Sequence, residues 1–149
     1  MEIYLTKSPT QTKKLGEKLA KRILKLKTPK KAVVLGLMGD LGGGKTTFLQ
    51  GFAKGLGVKE RVLSPTFVLM KRFSVPKRSF IHIDCYRIKK AGELINLGFE
   101  DIISDSCNII AIEWADRIKK IMPRNAILLE FEFINKGIRK IVIKSKNGK

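Results

Sequence analysis

Glu2 to Thr6 alternates polar and apolar side chains with the two-residue period of a short strand. Ser8-Pro9-Thr10 then offers a hydroxyl to cap a helix and a proline whose fixed φ suits the first helical turn. Leu15, Leu19 and Ile23 recur every four residues, with Lys13, Lys18 and Lys21 between them, and this predicts an amphipathic helix to about Leu26. Ala32 to Met38 is an unbroken apolar run of strand length, the pattern of a strand buried on both faces. A glycine-rich turn and a second helix follow, from about Lys45 to Leu56, closed by Gly57.

Further along, Val62 to Phe73 contains a Ser-Pro turn and then a strand, Phe80 to Tyr86 is another strand, and Asn108 to Ile112 is a third apolar run that ends in Glu113 and Trp114. Two extended segments, Ala126 to Ile134 and Ile138 to Lys144, flank Asn135-Lys136-Gly137, a hairpin signal. No repeat or low-complexity linker interrupts this order. The pattern predicts an α/β fold with a mainly parallel central sheet, helices on both sides, antiparallel edge strands and a C-terminal hairpin. At 149 residues it is expected to form a single domain, residues 1–149.

Composition narrows the class. With 44% hydrophobic and 30% charged residues the chain is too apolar for disorder, and no apolar run approaches the ~20 residues that span a bilayer. Met1 to Lys7 lacks a secretory apolar core, so a cytoplasmic protein without membrane contact is expected. Cys85 and Cys107 belong to no close-spaced ligand set and read as free thiols. The net charge of +18 is unevenly placed: residues 1–31 carry 10 basic and 2 acidic side chains, 32–116 carry 11 and 9, and 117–149 carry 10 and 2. Basic ends suit a phosphate-rich or acidic partner, and equally a solvated lysine surface, since 23 of the 31 basic residues are Lys.

The most specific feature is Gly39-Asp40-Leu41-Gly42-Gly43-Gly44-Lys45-Thr46, which matches G-x-x-x-x-G-K-[ST] between a predicted strand and a predicted helix. Glycines let the backbone turn its N–H groups around a polyphosphate, and the helix that follows adds the positive end of its dipole. Lys45 would bridge the β and γ phosphates, and the Thr46 hydroxyl would ligate Mg²⁺. Such a site also needs carboxylates at strand ends, and two fit: Asp84 closes Phe80-Ile81-His82-Ile83-Asp84, and Glu113 closes Ile109-Ile110-Ala111-Ile112-Glu113. Each could hold metal or orient water, and each could be an ordinary strand-end charge. His82 reads as a hydrogen-bonded structural histidine ahead of a catalytic base, and Cys85 as unreactive on the opposite strand face. Arg87 could pair with a phosphate or with an acid such as Glu93. Trp114, just past a strand end, reads as ligand-side or as core.

The ordered set of motifs resembles the TsaE family, small P-loop ATPases of bacterial tRNA N6-threonylcarbamoyladenosine synthesis. The likeness covers nearly the whole chain: Leu15-Gly16 with Leu19-Ala20, Gly39 to Thr47, Gly51 with Gly55-Leu56-Gly57, Ser64-Pro65-Thr66-Phe67, His82-Ile83-Asp84-Cys85-Tyr86-Arg87, Leu97-Gly98 and Ile112-Glu113-Trp114. The resemblance implies a P-loop fold that binds ATP or ADP with Mg²⁺ through residues 40–47, including Thr47. It implies that Lys45 and Thr46 hold phosphate and metal, that Asp84 is the acid near the metal, and that Thr66 lies in a switch-like loop on the γ-phosphate side. Glu113 would position the attacking water or ligate the metal, and Trp114 would lie close to the nucleotide. The resemblance further implies partnership with the TsaD and TsaB proteins, and contact with tRNA only through that complex. Four positions depart from the family pattern: Gly43 stands for an alanine, Ala115-Asp116 for Pro-Glu, and Phe73 for a tyrosine.

Two other readings compete. A P-loop small-molecule kinase needs an acceptor pocket and an Arg-bearing lid, which Arg72 and Arg78 near Pro76 could imitate. A basic RNA-binding module would use nucleotide only to switch affinity. No N-K-x-D motif marks a guanine reader, and its absence does not prove adenine.

Overall fold

A computed structural model describes residues 1–26, 29–39, 44–62 and 69–145. Seven strands form one sheet in the order β1-β7-β6-β2-β5-β4-β3, with β1 at Glu2–Thr6, β2 at Val33–Gly39, β3 at Met70–Val75, β4 at Arg78–Asp84, β5 at Asn108–Glu113, β6 at Ile127–Asn135 and β7 at Ile138–Lys144. The middle strands β4, β5, β2 and β6 are parallel, whereas β3 on one side and β7 and β1 on the other are antiparallel to their neighbours. This is the expected α/β architecture, with antiparallel strands at both edges.

Helix α1, Pro9–Leu24, starts as its sequence dictates: the Ser8 hydroxyl accepts from the Gln11 N–H at 3.1 Å and Pro9 opens the first turn. Its buried stripe, Gly16, Leu19, Ala20 and Ile23, meets α2, Lys45–Leu56. The two helices approach closely because glycines stand where backbone meets backbone. A Cβ on Gly16 would collide with the Phe48 carbonyl, and one on Gly51 with the Lys13 carbonyl. Phe48, Phe52, Phe80, Leu129 and Ile141 fill the layer between this pair and the sheet.

The opposite face of β2, β4 and β5 buries Ile81, Ile83, Ile110 and Ile112 under three short elements. They are α3 (Ala91–Ile95), α4 (Phe99–Ser104) and a 3₁₀ segment, Ala115–Ile121, none of them anticipated from the sequence. At five to seven residues they are too short to display a helical period. β3 and β4 form a hairpin through Pro76 and Lys77, in register from Met70 with Ile83 to Val75 with Arg78. Arg72 and Arg78 are tied to Asn108 and Ser106, at the start of β5 and so at the far end of the sheet from the phosphate-loop motif. They build no lid over it. Phe73, the departure from tyrosine, is buried and stacked on Phe80 at 5.8 Å between ring centroids. Among the described residues, no helix is long and apolar enough to cross a membrane.

Candidate functional site

The parallel strands deliver their carboxyl ends to one edge, and α2 begins there after Gly44. Lys45 is the first residue of that helix and is buried. Its ammonium donates to the Gly39 carbonyl at 2.5 Å and lies 4.2 Å from the centre of the Trp114 ring. Trp114 follows directly on β5 and holds φ at 57°, a left-handed conformation that costs a bulky residue about 1–3 kcal/mol. Tyr86 packs against the indole at 5.1 Å, and the Arg117 guanidinium lies 5.7 Å from it. The only tryptophan is thus held on the phosphate side of the sheet edge, in contact with the lysine.

Asp84 and Glu113 close β4 and β5, and register makes them direct neighbours. Adjacent strands stand about 4.8 Å apart, so both carboxylates point from the same face of the sheet. Burial holds the Asp84 carboxyl above its ordinary value; the nearby Glu113 charge adds to the rise, while the backbone N–H of Tyr86, His82 and Lys45 oppose it. Glu113 is 3% exposed, and its Oε2 lies 2.7 Å from Nε2 of His82, itself 1% exposed. His82 therefore has a specific buried partner, which the sequence did not name.

One cavity of about 550 Å³ gathers Gly44, Lys45, Thr46, Thr47, Asp84, Glu113 and Trp114. Its other wall comes from Ser8, Pro9 and Thr12 at the start of α1 and from Gly137 and Arg139 of the β6–β7 hairpin. Sequence reading missed this second wall, because nothing local marks a helix cap and a hairpin turn as neighbours of a phosphate loop. Asp40, Leu41, Gly42, Gly43 and Thr66 lie outside the described residues. Arg87 is exposed, and Glu93 spends its carboxylate on the N–H groups of Lys89 and Lys90, capping α3 rather than pairing with Arg87. Cys85 points to the other face, where burial pushes its thiol up to about 12.

Among the described residues no group of three or more His, Cys, Asp or Glu could hold a metal ion by itself. Thr46 and Asp84, a hydroxyl and a carboxylate on one cavity, form instead the kind of oxygen donor set that suits a small hard cation shared with phosphate oxygens and water.

A family profile described as threonylcarbamoyl adenosine biosynthesis protein TsaE matches residues 6–141. The chain belongs to the TsaE family. A TsaE relative from Haemophilus influenzae, named a tRNA threonylcarbamoyladenosine biosynthesis protein, is 35% identical over 80% of this chain and 75% of its own length. Another from Aquifex aeolicus is 35% identical over 95% of each chain. The crystal structure of Bacillus subtilis YdiB superposes with a TM-score of 0.77 at 28% identity, covering 97% of this chain and 84% of that one. The TsaE match takes in both walls of the cavity, from Ser8 to Arg139.

Proposed function

We propose that this chain is a single-domain, cytoplasmic Mg²⁺-dependent ATPase of tRNA N6-threonylcarbamoyladenosine biosynthesis that works with the TsaD and TsaB proteins, meeting tRNA only through them. The observation that carries the reading is the convergence of Lys45, Thr46, Asp84, Glu113 and Trp114 on one cavity at the carboxyl edge of the parallel strands. Family membership supplies the pathway. Residues 40–47, with Thr47 beside Thr46, would cradle the phosphates of ATP or ADP, with Thr66 on the γ-phosphate side. Lys45 neutralises charge on the β and γ phosphates once it leaves the Gly39 carbonyl. Thr46 and Asp84 would hold Mg²⁺, which supplies further charge neutralisation when bound. Glu113 orients the attacking water, and Trp114 walls the nucleotide side. Catalysis of this kind is positioning plus electrostatics and needs no covalent intermediate.

The decisive experiment measures phosphate release from Mg-ATP by the chain alone and with TsaB and TsaD. A slow rate that the partners raise, and that Lys45→Ala lowers at least about 100-fold, is expected. No partner effect and no Lys45 dependence would overturn the reading. The kinase alternative loses its lid, because Arg72 and Arg78 are bound at the opposite end of the sheet.

A further inference from the structure

We infer that His82 is a positioning residue for Glu113: its Nε2–H clamps one carboxylate oxygen so that the other is presented to the cavity. The inference rests on the proposed water-orienting role of Glu113. Four observations carry it. The pair is short and dry, 2.7 Å between side chains that are 1% and 4% exposed. It runs diagonally across two strands, for the register partner of His82 is Ala111, two residues before Glu113 on the same face. The imidazole is fixed from its other side by Phe80, stacked at 6.5 Å and 11°. Finally, Nδ1 is buried and has no hydrogen-bond partner among the described residues.

Among the described residues the hydrogen bond of the ring is to Glu113. A carboxylate oxygen accepts, so Nε2 is the nitrogen that donates its N–H in this contact. Glu113 lines the cavity, and with Oε2 committed to His82 its free oxygen is Oε1. Asp84 keeps a separate role: its oxygen accepts from the Tyr86 N–H, and no hydrogen bond joins it to the His82–Glu113 pair.

The test uses the full chain with its partner proteins. His82→Phe, which keeps an aromatic ring and removes the donor, is expected to lower kcat for Mg-ATP about 10- to 100-fold while KM stays within about twofold. His82→Gln, which restores an N–H near the same place, is expected to recover most of that loss. In a Glu113→Gln background, His82→Phe should cost little more, because the clamped group is already gone. A slowdown of equal size in both backgrounds, or none in a folded His82→Phe variant, would overturn the inference while leaving Glu113 in place. Normal turnover by Glu113→Gln would overturn both. A readout independent of turnover exists because this is the only histidine. Its imidazole N–H should give one solvent-protected proton resonance that is lost in Glu113→Ala; an unprotected signal, the same in both proteins, would refute the clamp.

Discussion

Asp84 carries its charge half-buried, and the cost of that desolvation is what raises its pKa. A carboxyl that protonates more easily folded than unfolded supports the fold below the unfolded value of 3.8 and loses that support as pH rises through the folded value. Asp84→Asn keeps the oxygen that accepts from Tyr86 and removes the charge. The variant should melt about 2 °C higher than the parent at pH 7, with the difference closing toward pH 3, while losing metal-dependent hydrolysis. Calorimetry across that range checks it; a stabilisation that grew on acidification would contradict the sign. Individual residues of this kind were legible beforehand, since an acid ending an apolar run and a lysine after glycines announce themselves. The His82–Glu113 contact was not, because it depends on which strands are neighbours and in what register, and no local pattern encodes that.

At the level of elements, the contact of α1 with α2 brings a carbonyl against a glycine from each side. The atoms that would meet a new methyl at residue 51 are backbone atoms of Lys13 and cannot rotate away. Gly51→Ala is expected to cost about 3 kcal/mol despite the better helix propensity of alanine, read as a lower urea midpoint at unchanged slope. Gly92, where an added methyl would meet nothing within 4 Å, is the control, and Gly92→Ala should leave the midpoint unchanged or raise it. The long elements followed their sequence closely: the Ser8 cap, the Gly57 stop and the hairpin at Asn135-Lys136-Gly137 all fall where local chemistry demands. The three short helical pieces did not, for tertiary burial of Leu94, Phe99 and Ile118 makes them, not periodicity.

For the molecule as a whole, the +18 charge sets a field that draws in anions before any contact is made. The exposed lysines of α1, Lys13, Lys14, Lys18 and Lys21, project from the helix whose first residues line the cavity. The association rate of Mg-ATP should fall about tenfold between roughly 20 and 300 mM salt, with the dissociation rate nearly constant, in stopped-flow records of Trp114 fluorescence. A salt-independent association rate would mean that the lysines only keep the protein soluble.

The cavity draws its second wall from residues 8–12 and 137–139 together, and among the described residues β1 pairs with β7 alone. The order of synthesis then matters. A nascent chain on the ribosome carries the phosphate-loop sequence early but lacks a wall of the cavity until the hairpin has emerged. A product truncated within β6 would therefore keep the phosphate-loop motif without the cavity.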